Sequence, residues 1–296
     1  MSTGPLVAVD DPADPRLADY RALNDAELRR RRGADDGGVV VEGRVAVGQL
    51  LTSSFEVRSL LVDDHQADSC AELVAAVRAR GAPVYVGCRP VVAATVGFSL
   101  HRGVVAIARR PPAVDAHELV RRVVGLQSVS GGRPMVAVLE GVNDHENLGA
   151  LFRNAAAFGA GAVLLSPTCA DPLYRRCVRV SVGHVLHVPF ARLAPWPGSL
   201  VELRAAGFML VALAPAASAE ASSHRPVAVG ELAARLAGSR RDGTGIALLL
   251  GAEGPGLSAA ALAAVDEVVA IPMAPGVDSL NVATAAAVAF HRFGGG

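Results

Sequence analysis

The chain has 296 residues, 51% of them hydrophobic and 4% aromatic, so it can bury two ordinary cores filled by Val, Leu and Ala rather than by rings. Its 28 basic and 28 acidic residues cancel, which excludes a global basic field as the means of attracting nucleic acid; all the basic residues are Arg, which suits bidentate phosphate contacts but also fits a chain simply rich in Ala, Gly, Pro, Val and Arg. Cys70, Cys88, Cys169 and Cys177 lack C-x-x-C or zinc spacing, no apolar run approaches about 18 residues, and the acidic start has no signal-peptide character; the expectation is a soluble cytoplasmic protein with no metal and no membrane partner.

In chain order, residues 1–35 read as an N-terminal arm: a Pro/Asp turn region, then a charged helix from Leu17 to Arg32. Its run Arg29-Arg-Arg-Arg32 is either a phosphate-contacting arm or a solvated helix end. Residues 36–110 show strands at Val39–Val41, Val57–Val62, Pro83–Val86 and Val104–Ala108 with helices at Val45–Leu51 and Ala67–Arg80, a βαβ pattern that predicts a small α/β domain. Two prolines after Arg109-Arg110 mark a boundary, and 111–134 is expected as a linker that holds a helix around Ala116 to Val124. From Met135 to the end, strands are predicted at Met135–Leu139, Ala162–Leu165, Val185–Val188, Met209–Leu213, Ile246–Leu250 and Val268–Ile271, alternating with helices: a parallel sheet covered on both faces. On that reading His184 and His187 share a strand and face opposite sides, which argues against metal binding. Arg175, Arg176 and Arg179 on a short helix either grip an RNA backbone or are solvated.

The polar and glycine information concentrates at three strand-to-helix junctions, where α/β folds place their sites. The first runs from Leu139 through a polar loop into a helix bearing Asn147, Gly149 and Arg153. The second is Gly251-Ala-Glu253-Gly254-Pro-Gly256-Leu257 after a buried apolar strand; its glycines admit close backbone approach. The third is Ile271-Pro-Met273, a turn at Pro275-Gly276, then Ser279-Leu280-Asn281-Val before an Ala-rich helix that Asp278 or Ser279 can cap. Asn281 stands in an apolar run and needs a hydrogen-bonding partner if buried. Gly159-Ala-Gly161 precedes a strand rather than following one, so it is not a dinucleotide fingerprint, and no Walker A or G-x-S-x-G sequence occurs.

At these three junctions, matched in order, the chain resembles the SPOUT superfamily of RNA methyltransferases in its SpoU/TrmH branch of ribose 2′-O-methyltransferases. The resemblance covers roughly the last 160 residues. It implies a SPOUT domain with a deep trefoil knot, preceded by a ribosomal-protein-like substrate-binding domain with Glu42-Gly43-Arg44 and Gly103-Val-Val-Ala106 as landmarks. The polar pair before that glycine is His101-Arg102 here. It further implies S-adenosylmethionine held by Leu213, Gly251, Ile271, Met273, Leu280 and Ala283, and a catalytic group of Asn147, Arg153, Glu253, Ser279 and Asn281. Arg153 is expected to orient a phosphate and stabilise the developing alkoxide, since a pKa above about 12 disfavours it as a base. A homodimer and an RNA substrate follow, ribosomal RNA before transfer RNA, with a catalytically silent RNA-binding module as the reading from another class.

Overall fold

The computed structural model describes residues 3–21, 23, 38–98, 103–130, 133–215, 225–238 and 244–294. Arg29–Arg32 and His101-Arg102 lie outside these residues. The chain divides into two compact units, Met1–Pro112 with Leu173–His187, and Ala113–Pro172 with Val188–Gly296.

The first unit is a mixed five-stranded sheet of β1 (Leu6–Val9), β2 (Val39–Glu42), β3 (Val57–Asp63), β4 (Val84–Gly87) and β5 (Val104–Ala108), ordered β1-β4-β3-β5-β2. β1, β4 and β3 run parallel, while β5 is antiparallel to both β3 and β2. Val-rich β3 and β5 are buried along most of their length, as central strands are. Leu17, Tyr20, Leu61, Val105 and Ile107 form the core on one side. Residues 1–35 are thus not simply an arm: β1 is an edge strand, and Pro15–Tyr20 is a 3-10 helix whose Leu17 and Tyr20 are fully buried. The Leu17–Arg32 helix is corrected to this short element as far as the described residues go. A helix at Arg89–Val96, not foreseen, crosses between β4 and β5.

The segment Leu173–His187, expected inside the second domain, groups with the first unit. Arg175 on its helix Arg175–Val180 pairs with Glu42 at 2.9 Å, both side chains largely buried, and stacks over the Phe98 ring at 4.4 Å. Arg175 is therefore committed within the fold. Val185–Val188 is not a strand: His184–Leu186 is a 3-10 turn, and the His187 ring packs on the Gln49 carbonyl at 3.0 Å.

The second unit is a seven-stranded, all-parallel sheet ordered β10-β12-β9-β11-β6-β7-β8. Its strands are β6 (Met135–Glu140), β7 (Ala162–Leu165), β8 (Phe190–Arg192), β9 (Phe208–Leu213), β10 (Val227–Ala228), β11 (Gly245–Gly251) and β12 (Glu267–Ala270). β8 takes the place expected of Val185–Val188, because the apolar run there continues through Pro189, which cannot donate to a ladder. β6 and β11 are continuous apolar runs buried almost throughout, the pattern of strands covered on both faces. The helix expected around Ala116 to Val124 in the 111–134 linker spans Ala116–Ser130, and its Leu119, Val120 and Val123 sit in this unit's core. Among the described residues no helix is long and apolar enough to cross a membrane.

Candidate active site

The chain steps from β6 outward to β7 and β8, returns to β9 on the other side, and then fills the gap between β9 and β6 with β11. The carboxyl ends of β12, β9, β11 and β6 therefore lie side by side along one edge, the place where open parallel sheets bind ligands. All three polar junctions open onto this edge.

After β6 the chain turns through Gly141 into the helix His145–Ala157. Asp144 caps that helix, its Oδ1 accepting from the N–H groups of Glu146 at 2.9 Å and Asn147 at 2.8 Å. This fixes the first turn and aims the buried Asn147 amide at the turn after β11, where its Nδ2 donates to Glu253 Oε2 at 3.1 Å. That turn folds tightly on itself: Gly254 and Gly256 have φ of 84° and 69°, and a Cβ on Gly251 would lie 2.2 Å from the Gly256 carbonyl carbon. Glycine at 251 is thus required by close backbone approach.

Asn281 closes the arrangement. Its Nδ2 donates to Asn147 Oδ1 at 2.7 Å and to Glu253 Oε1 at 2.8 Å, while its Oδ1 accepts from the N–H groups of Ala283 at 3.0 Å and Thr284 at 3.3 Å. Every hydrogen-bonding position of the amide nitrogen is used, and the oxygen caps the helix Val282–Phe293. The cap is therefore Asn281, not Asp278 or Ser279, which are exposed in the preceding loop. Asn147, Glu253 and Asn281, separated by 134 positions from first to last, form one ring of hydrogen bonds.

Arg153 and Ser279 stand outside that ring, both exposed. At about 100° per residue, Asn147 and Arg153 project roughly 120° apart around their helix, whereas Asn154 returns to within about 20° of Asn147. Asn154 Nδ2 accordingly donates to the Ala283 carbonyl at 2.7 Å, a second tie between the two helices that the sequence reading missed. Asp144 was missed as well, although Asp immediately before a helical stretch is a capping signal. Glu140 was also passed over.

The residues expected at the cofactor lie along the same edge at different depths. Leu213 ends β9 and Gly251 ends β11, both half-buried; Ile271 and Met273, also half-buried, follow β12; Leu280 is exposed and Ala283 is buried in the closing helix. Ile271 and Met273 line a cavity of about 400 Å³ together with Val227, Ala270, Val277 and Asp278. Leu213, Gly251, Leu280 and Ala283 are not part of its wall.

A parallel α/β sheet with a polar ring and an apolar cavity at its carboxyl edge defines the chain as a ligand-binding α/β domain of the enzyme type. The sequence pattern of the SpoU rRNA methylase family matches residues 134–291, and the chain belongs to that family. It is 46% identical over 284 residues to an uncharacterized tRNA/rRNA methyltransferase of Mycobacterium bovis, covering 96% of this chain and 90% of that one. It is 26% identical over 232 residues to a 23S rRNA (guanosine-2′-O-)-methyltransferase of Photobacterium profundum, covering 78% and 86%. Its fold is shared with the AdoMet-bound rRNA methyltransferase of Sinorhizobium meliloti, with a TM-score of 0.72 at 23% identity over 97% of both chains.

Proposed function

We propose that this chain is an S-adenosylmethionine-dependent RNA ribose 2′-O-methyltransferase acting on ribosomal RNA. The observation that carries the reading is the Asn147–Glu253–Asn281 ring, which ties the three family motifs into one constellation at the ligand edge of the sheet. The 23S rRNA relative favours ribosomal over transfer RNA.

The residues present fit the cofactor. Ile271 and Met273 offer an apolar cavity of about 400 Å³, within the usual range for small-molecule sites, and the strand ends at Leu213 and Gly251 bring backbone groups to the same edge. Leu280, in the loop before the closing helix, and Ala283, buried in its first turn, are assigned to the same cofactor. When bound, S-adenosylmethionine supplies an electrophilic methyl group on a sulfonium. The chain must then align a ribose 2′-hydroxyl and ease the departure of its proton. The ring of Asn147, Glu253 and Asn281 holds the loops that frame the site in register. Arg153, exposed on the same helix as Asn147, orients a backbone phosphate and stabilises the developing alkoxide, with Ser279 in the loop facing the substrate.

Three further parts belong to the same reading. The first unit selects RNA, as a ribosomal-protein-like domain would, while the second binds cofactor. The tail from Ile271 threads beneath the loop after β11 as a trefoil knot, supported by the late insertion of β11 between β9 and β6. Two copies pair through the small-residue helix Val282–Phe293 in the cytoplasm.

The test is transfer of labelled methyl from S-adenosylmethionine to purified ribosomal and transfer RNA, followed by mapping of 2′-O-methyl positions. Label on ribosomal RNA at a ribose supports the proposal. Label on a base, or none on either RNA, overturns it.

A further inference from the structure

We infer that Glu140 is a positioning residue for the proposed methyl transfer: it fixes the Gly251–Ser258 turn, and Glu253 with it, against the end of β6. The inference rests on the function just proposed. Glu140 ends an otherwise apolar buried strand and is 9% exposed, a place where an apolar side chain would avoid the desolvation of a carboxyl group. Both of its oxygens are used, each by a different segment. Oε1 accepts from Trp196 Nε1 at 2.5 Å, and Oε2 accepts from the Ser258 N–H at 2.9 Å.

Ser258 is where the turn ends, since its hydroxyl caps the helix Ala259–Ala263 by accepting from Ala261 N–H at 3.2 Å. The turn's start is held by β11, where Gly251 stands opposite Glu140 in register. Its middle is closed by the Gly256 N–H to Ala252 carbonyl bond of 3.0 Å. Glu140 supplies the third hold, at the far end. Glu253 sits between these holds and must present both oxygens to Asn147 and Asn281 at 3.1 and 2.8 Å, distances that a shift of the turn by one ångström would break. Glu140 itself touches neither ring partner; it acts through the turn.

The chemistry suggests a variant with a specific signature. Glu140→Gln leaves one acceptor oxygen for two N–H donors and turns an NH2 group toward one of them. Trp196→Phe removes one donor, so that in the double variant the remaining carbonyl oxygen is free for Ser258. We expect Glu140→Gln to weaken S-adenosylmethionine binding about tenfold and to speed amide exchange across residues 252–258 by a similar factor, the scale of one lost part-buried hydrogen bond to a carboxylate. Adding Trp196→Phe should restore both to within about threefold of the parent.

Should Glu140→Gln fail to fold, Ser258→Pro probes the same bond from the other side. Ser258 has φ of −64°, which proline adopts, so the change deletes the N–H while keeping the dihedral at residue 258. The excess of its effect over Ser258→Ala, which loses the hydroxyl cap but keeps the N–H, isolates the bond to Glu140. Calorimetric titration with S-adenosylmethionine and hydrogen exchange on the full chain read these variants. Lower thermal stability with unchanged affinity and unchanged exchange in the turn overturns the inference, as does failure of Trp196→Phe to restore either quantity. If the parent protein binds no S-adenosylmethionine, the proposed function falls. Exchange at residues 252–258 then still decides whether Glu140 holds the turn.

Discussion

Asn281 is committed at every polar atom of its side chain, while Arg153 six residues beyond Asn147 points away from the ring, and the two should fail differently. Asn281→Ala removes the donor to Asn147 Oδ1 and Glu253 and the cap on two helix N–H groups; because residues 253 and 281 are exposed, water replaces part of this, and cofactor affinity should weaken by about 1 kcal/mol. Arg153→Ala should leave that affinity nearly intact and depress single-turnover methylation. Calorimetry and single-turnover assays on the same two proteins decide this; full single-turnover activity in Arg153→Ala would refute its assigned role. A sharper check exchanges the hydrogen-bonding roles of Asn147 and Glu253, which face each other at 3.1 Å. Asn147→Asp alone sets two carboxylates against each other and should lower the melting temperature, whereas Asn147→Asp with Glu253→Gln restores a donor opposite an acceptor and should recover most of the loss. The sequence named all three ring members because each lies in a short motif at a strand-to-helix junction. It could not show that they bond to one another, nor that Asp278 and Ser279 leave the cap to Asn281, because those facts depend on how three distant loops meet.

The site depends on how each strand hands over to its helix, and the caps do much of that work. Asp144 holds the first turn of the helix His145–Ala157 through two N–H groups, so Asp144→Ala should cost about 1 kcal/mol and lower the melting temperature by roughly 2–4 °C. Differential scanning calorimetry checks it. Gly251→Ala should cost more than an ordinary glycine change, since its Cβ would overlap the backbone at Gly256 and Leu257, which cannot rotate aside. The long apolar strands were legible for the same reason that they are central: β6, β7, β9 and β11 are runs of Val, Leu, Ile and Ala bounded by turn residues. The elements missed or misplaced are short or at edges. β1 and β10 have four and two residues, too few for a pattern to stand out, and β8 begins two residues beyond the end of the strand expected at Val185–Val188. The helix expected around Ala116 to Val124 in the 111–134 linker runs on to Ser130, and its apolar stripe belongs to the second core rather than to a linker.

At the scale of the whole chain, cofactor and RNA functions are assigned to different units, and the Arg175–Glu42 pair allows that division to be tested. This partly buried pair belongs to the first unit although Arg175 follows β7 in sequence. Glu42→Ala should destabilise the chain by about 1–3 kcal/mol, less than the loss of a fully buried pair, while leaving S-adenosylmethionine affinity unchanged because every ring bond lies in the second unit. Residues 113–296 alone carry those bonds and the cavity, so this fragment should still bind cofactor within about threefold of the full chain but should not methylate ribosomal RNA. Its segment 173–187 then lacks Glu42 and Phe98, so the fragment should melt lower, and titrations belong well below that transition. Light scattering on the full chain supplies the companion measurement: pairing through the Val282–Phe293 helix predicts about 61 kDa, twice 30.3 kDa. The fragment keeps that helix and should also run as a dimer. A monomeric fragment from a dimeric parent would move the pairing surface to the first unit, and methylation of ribosomal RNA by the fragment would remove that unit's role in choosing the substrate.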